Sequence, residues 1–379
     1  MKKFLALALA LCLSMMALAG CSGNGGSNAD APADNAAAAA DMKVAMVTDY
    51  GDITDQSFNQ TTYEACKAWA DANGVTFNYF KPATNSDEDR VSMIEKAVDE
   101  GYTVIVMPGY AFAPAIEKTA GNYPDVTFIA LDVSAGDFSE GYTLPSNLYS
   151  AVYQEELCGY MAGYAAVKLG YTKLGFLGGM AVPAVVRYGY GFVQGADAAA
   201  AETGAAVEIN YAYGNQFFGD ADITAAMDTW YAAGTQVVFA CGGGIYTSAA
   251  EAAQKTGGKV IGVDVDQAAN IDGTYGAGMT VTSAMKGLGA TVNTMLTAVK
   301  EGKFQGGKID NLGLVSDTPS ENYVQLAPST QFGDGFTEAD YNALVKAMNA
   351  GQITVNNDIT ISAADNAKVA TVNDQGNIK

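Results

Sequence analysis

Asp49, Asp52, Asp55, Gln56, Ser57 and Asn59 crowd into the stretch DYGDITDQSFNQ, which directly follows the apolar run Val44-Ala45-Met46-Val47. Carboxylates accept hydrogen bonds, amides both accept and donate them, and Phe58 among these polar neighbours offers a flat face. Other short turns repeat the mixture: Leu131-Asp132-Val133-Ser134, Gly178-Gly179-Met180, Tyr213-Gly214-Asn215-Gln216-Phe217-Phe218, Cys241-Gly242-Gly243-Gly244 and Asp264-Val265-Asp266-Gln267. Brought together in one cleft, they suit a guest that joins hydroxyls to a planar ring. Several fixed negative charges and few cations disfavour a phosphorylated guest. Lys286 is the cation expected beside the cleft, to balance a carboxylate or bond a ring carbonyl.

Several of these residues also have a plainer reading. Asp55 stands where a helix N-cap carboxylate would accept from an orphan backbone donor. Phe58 at helical spacing suits a core. Gly242-Gly243-Gly244 lacks the GxGxxG or Walker spacing of a phosphate cradle, and lets the backbone approach a ligand or a facing lobe. The turn bearing Asp49, Asp52 and Asp55 lacks the Gly and terminal Glu of a calcium-binding EF-hand loop. The chain contains no His, which removes the usual general base, the commonest zinc ligand and the Ser-His and Cys-His pairs. Cys66, Cys158 and Cys241 are far apart with no CxxC spacing, so they read as small buried residues. Neither a cofactor nor a metal is expected.

These turns need a scaffold that presents strand ends. From Lys43 onward short β-rich runs alternate with Ala-rich helical stretches, the signature of parallel βα units in an α/β fold. Strands are expected at Val44–Thr48, Thr76–Phe80, Thr103–Met107, Thr127–Leu131, Lys173–Leu177, Ala206–Ala212, Gln236–Ala240 and Lys259–Val263. Helices between them include Phe58 to Asn73, Asp87 to Glu100, Ala151 to Leu169, Val185 to Thr203, Asp222 to Ala233 and Ile245 to Thr256. Beyond Val263 the expectation is a short strand Gly278–Val281 and a helix from Ser283 to Lys300 with Lys286 just inside it. Strands near Leu312–Val315 and Tyr323–Leu326 and a helix from Ala339 to Asn349 follow. Open parallel sheets bind ligands at the carboxyl ends of their strands, where the acidic and aromatic turns fall. Two series of four strands imply two lobes, 42–147 with about 265–304 and 148–264 with about 305–355, before a polar tail at 356–379. A late helix returning to the first lobe makes the chain cross more than once, restricting the lobes to a hinge.

Met1-Lys2-Lys3, an apolar run to Ala19 and the lipobox Leu18-Ala19-Gly20-Cys21 read as an export signal over 1–20, with Cys21 taking diacylglycerol. The run is shorter than the roughly 20 residues a bilayer span needs. Residues 21–41, small-sided and polar, form a flexible linker. The folded part is therefore expected at the outer face of the cell membrane, held by lipid alone. The formal net charge of -21 disfavours nucleic-acid binding, because phosphate neutralisation needs a basic face.

Several separated motifs carry a resemblance: Val47-Thr48-Asp49 with Asp55-Gln56-Ser57-Phe58-Asn59-Gln60, Gly175-Phe176-Leu177-Gly178-Gly179-Met180, Gly262-Val263-Asp264-Val265-Asp266-Gln267, Thr282-Ser283-Ala284-Met285-Lys286 and Gly302-Lys303-Phe304-Gln305-Gly306-Gly307. In them the chain resembles, from about Lys43 to about Leu326, the basic membrane protein family of lipoproteins, whose best-understood members are purine nucleoside receptors of ABC importers. The resemblance implies a type I periplasmic-binding-protein fold, two doubly wound parallel-sheet lobes joined by a multi-strand hinge and closing on a nucleoside. It implies nucleoside contacts from Asp55, Asn59, Asp132, Asp264 and Lys286, and a base sandwiched by Phe58 and either Phe217 or Phe218. Asp49 and Gly243 complete the expected site. Gln56 departs from the family's usual Lys and Tyr50 from its common Ser or Val. Its acidic residues are replaced around Val186-Arg187-Tyr188-Gly189-Tyr190, although Arg187 remains.

The expected function is that of a monomeric, non-enzymatic substrate-binding lipoprotein. It captures a nucleoside, of the purine type, and delivers it to an ABC permease and its ATPase. The rivals are a sugar or signalling-ligand receptor of the same fold, a nucleoside hydrolase using its Asp clusters, and an adhesin or structural lipoprotein.

Overall fold

The computed structural model describes residues 42–379; the expected export signal, Cys21 and the expected linker to Asp41 lie outside them. Val44 to Val47 in β1 (Lys43–Val47) are fully buried, as a central parallel strand covered on both faces requires. Helix α1 (Phe58–Asn73) ends at Gly74, whose φ of 64° is the left-handed conformation a helix terminus favours. Next come β2 (Thr76–Phe80), α2 (Asp87–Asp99), β3 (Val104–Pro108), α3 (Ala113–Thr119), β4 (Thr127–Leu131) and β5 (Leu148–Tyr153). The chain continues through α4 (Glu155–Lys168), β6 (Lys173–Gly178), α5 (Pro183–Thr203), β7 (Glu208–Tyr213) and α6 (Ala221–Ala232). Then follow β8 (Val237–Cys241), α7 (Tyr246–Thr256), β9 (Lys259–Asp264), α8 (Ala268–Tyr275) and β10 (Thr280–Lys286). It closes with α9 (Leu288–Lys300), β11 (Lys308–Leu312), β12 (Val324–Leu326), α10 (Glu338–Asn349) and β13 (Thr371–Asn377).

These strands form two sheets, ordered β11-β5-β4-β3-β1-β2 and β12-β10-β9-β8-β6-β7-β13. All neighbours run parallel except β12, antiparallel to β10. The sheets repeat one winding, because β2-β1-β3-β4-β5 and β7-β6-β8-β9-β10 share their order. The expected α/β architecture of two doubly wound lobes is therefore present. The chain passes between sheets after β5, after β10 and again between β11 and β12, while α9 returns to pack on α1 through Trp69 Nε1 donating to Thr297 Oγ1 at 2.9 Å.

Four departures from the sequence reading have physical causes. Leu148–Tyr153 is a strand although Ala151 onward reads as helix, because its residues are buried on both sides and show no alternation. Ser283 to Lys286 belongs to β10, not to a helix: pairing with β9 and β12 outweighs the helix propensity of Ala-Met-Lys. Lys286 thus ends a strand. The polar tail supplies β13, an exposed edge strand held to β7 by backbone bonds that need no apolar side chains. Sheet membership also moves the lobe boundaries, since β5 and β11 join the first sheet while β10 joins the second.

Helices α4 and α5 cross at unusually short range. A Cβ on Gly159 or Gly163 would collide with the main-chain oxygen of Tyr188 or Phe192, and one on Gly191 or Gly195 with that of Glu156 or Tyr160. Only glycine permits this approach, and it sets Glu155 at the start of α4 against Arg187 on α5.

Candidate functional site

Strand order reverses between β1 and β3 in one sheet and between β6 and β8 in the other, the switch points where α/β sheets open a crevice. The loops there bound a cavity of about 420 Å³. Asp49, Asp55, Phe58, Asn59 and Asp132 line it from the first lobe, and Phe217, Phe218, Gly243, Asp264 and Lys286 from the second. The structure therefore brings all ten residues of the expected binding set to one wall or the other, while Gln56, Ser57, Asp266 and Gln267 from the same turns stay outside the lining.

The acidic turn after β1 is largely occupied by its own backbone. Asp55 accepts from the N–H groups of Ser57 (2.9 Å), Asn59 (2.9 Å) and Gln60 (3.0 Å) and from Asn59 Nδ2 (3.1 Å), so its carboxylate opens α1. Burial raises its pKa while these donors pull it down. Asp49 Oδ1 accepts from the N–H groups of Tyr50 and Gly51 and from Asn59 Nδ2, and Asp52 pairs with Lys81 at 2.8 Å. These carboxylates are engaged by the chain rather than gathered around a cation, and no group of His, Cys, Asp or Glu among the described residues is placed to hold a metal. Asn59 Oδ1 is different: it is buried and accepts nothing from the protein.

The opposite end is a compact charge cluster. Lys286 Nζ donates to Asp132 Oδ2 at 2.5 Å and lies 3.4 Å from Glu155 Oε1 and 3.7 Å from Asp264 Oδ1. Burial alone would lower the Lys286 pKa, but Asp132, Asp264 and Glu155 outweigh it and hold the ammonium above its ordinary value. Burial is the larger influence on Asp132, pushing its carboxyl up to about 6 while Lys286 pulls it back. Asp264, 6% exposed, accepts at Oδ2 from Ser57 Oγ at 2.6 Å. Arg187 Nε donates to Glu155 Oε2 at 2.7 Å. Asp132 and Asp264 adopt φ of 60° and 65°, conformations that non-glycine residues keep only where surroundings enforce them, often at binding sites. Asp132 Oδ1 is a second buried acceptor without a protein donor.

Rings and glycines complete the walls. Lys286 Nζ sits 4.9 Å from the Phe58 ring centroid. A Cβ on Gly179 would strike the Phe217 ring, and Gly242 leaves room for the same ring. These glycines thus seat an aromatic residue rather than a phosphate. Phe217 is half-buried, whereas Phe218 is 58% exposed at the rim. Tyr110, Tyr188, Val182 and Val185 also line the cavity without having been expected there. Tyr188 and Arg187 lay in a segment already marked as unusual; Glu155 gave no local signal, because a charge at a helix start ordinarily reads as solvated.

Two doubly wound lobes with a cleft at their strand ends are the type I periplasmic-binding-protein fold. The solute-binding protein of an ABC transporter system from Aeropyrum pernix K1 matches with a TM-score of 0.65 at 21% identity, over 83% of this chain and 87% of that one. One from Conexibacter woesei DSM 14684 matches at 0.64 and 22% identity, over 83% and 99%. The chain belongs to the Bmp family, ABC transporter substrate-binding protein PnrA-like, which it matches over residues 42–361. The ABC transporter nucleoside-binding protein BmpA of Lactococcus lactis subsp. cremoris is 30% identical over 286 residues, 71% of this chain and 78% of that protein. Basic membrane protein A of Borreliella burgdorferi is 28% identical over 280 residues, 72% and 76% of the two chains.

Proposed function

We propose that this substrate-binding protein captures a nucleoside of the purine type between its lobes and hands it, unchanged, to an ABC permease and its ATPase. The observation that carries the reading is the pair of unpartnered buried acceptors, Asn59 Oδ1 and Asp132 Oδ1, on the wall of a cavity flanked by Phe58 and Phe217. Buried acceptors left without donors are costly, so a guest supplying N–H and O–H groups is favoured. A nucleoside supplies both, and its base offers a face to the rings. The nucleoside-binding relative from Lactococcus lactis supports the same ligand class. Asp49, Asp55 and Gly243 shape the walls, and Asp132, Asp264 and Lys286 face the sugar. The chain acts as a monomer, tethered through lipid on Cys21 at the outer face of the membrane.

Titration calorimetry with inosine, guanosine, adenosine, cytidine and galactose tests the reading. Heat from the purine nucleosides alone supports it, and heat from galactose alone would transfer the site to the sugar-receptor reading. Release of free base from inosine would convert the receptor into a hydrolase. A Cys21→Ala variant is expected in the soluble fraction of expressing cells; its retention in membranes would remove the lipid anchor.

A further inference from the structure

Beside the cavity, a set of contacts joins the lobes without forming its lining. Gln56, held at a φ of 55°, belongs to the first lobe between β1 and α1. Its side-chain carbonyl accepts from the hydroxyl of Tyr246, the first residue of α7 in the second lobe. Its main-chain carbonyl accepts from Nε2 of Gln267, just before α8, at 3.1 Å. Both partners are buried and held in place. Gln267 Oε1 accepts from the Val263 N–H at 3.0 Å and its own N–H donates to Ser283 Oγ at 3.1 Å. On the other side Gln60 Oε1 accepts from the Gln56 N–H at 3.0 Å. Gln56, Tyr246 and Gln267 are absent from the cavity lining.

We propose that Gln56, Tyr246 and Gln267 form an interlobe latch that sets how long the closed cleft retains its ligand, a determinant of affinity that touches no ligand. The donors and acceptors come from opposite lobes, so separation of the lobes breaks these bonds and nothing else about either lobe's fold. The positive φ of Gln56 aims its side chain and its carbonyl at two different partners across the gap, a conformation its surroundings must hold. The same bonds hold the ligand-free cleft closed and must break before a bound ligand leaves, so the latch slows release. For the identity of the ligand the inference rests on the nucleoside reading; for its mechanics it does not.

Stopped-flow binding of inosine to the full chain, to Tyr246→Phe, to Gln56→Ala and to the double variant tests it. Each single variant is expected to release inosine about fivefold faster, the effect of one net hydrogen bond. The double variant is expected to be no faster than the singles, since both remove one bond. Unchanged release, or effects that add in the double variant, would overturn the latch. If the parent chain binds no inosine, the nucleoside reading falls, and X-ray scattering of the ligand-free proteins decides the latch. A larger radius of gyration in both single variants supports it, and identical profiles overturn it.

Discussion

At the scale of single residues, the cleft works by rationing hydrogen bonds. Asp264 serves Ser57 with one oxygen and faces Lys286 with the other. On the proposed nucleoside reading, replacing it with Ala removes an acceptor for the sugar, and calorimetry is expected to record a loss on the order of 1 to 3 kcal/mol in affinity. Glu156 offers a second test. It is 3% exposed, its Oε2 has no hydrogen-bond partner, and burial pushes its carboxyl up to about 7. The folded chain therefore holds this proton more tightly than the unfolded one. Stability falls as pH rises from roughly 4.5 to 7, by about 3 kcal/mol in all. Glu156→Gln is expected to melt above the parent at pH 8 and together with it at pH 4.5; equal melting at both would refute the assignment. The acidic and amide lining, with Phe58, Phe217 and Phe218, was legible because each of these residues falls in a turn that follows an apolar run. The segment of Arg187 and Tyr188 stood out, but their meeting with Glu155 did not, because it depends on two helices crossing at glycines more than 20 residues apart in the chain, from Gly163 to Gly191.

Elements carry a different kind of information. Helix α1 from Phe58 to Asn73 and strands β2 and β4 coincide with the sequence reading because local caps and apolar runs agree with the tertiary environment. Strands β5, β10 and β13 escaped it for the opposite reason: neighbouring strands, not local propensity, decide them. The α4–α5 crossing predicts that Gly163→Ala, whose methyl would meet the Phe192 carbonyl, destabilises the chain by about 1 to 3 kcal/mol in chemical denaturation. Strand β13 covers the edge of β7, and Gln375 Oε1 accepts from Trp230 Nε1 at 3.0 Å. Deleting residues 364–379 exposes that edge to pairing with another chain. Sedimentation velocity is expected to show self-association of the truncated protein, and a clean monomer would contradict this role.

Across the whole molecule, charge and connectivity dominate. With a formal net charge of -21, the folded chain repels itself over distances set by ionic strength. Raising salt from about 10 to 150 mM shortens the screening length from about 30 to 8 Å, and calorimetric melting is expected to shift upward. A downward shift would mean that attractive pairs, not repulsion, dominate the surface. Connectivity has a temporal meaning as well. The first sheet receives its last strand only at Leu312 and the second only at Asn377. A ribosome thus emits most of this polypeptide before either half can finish folding.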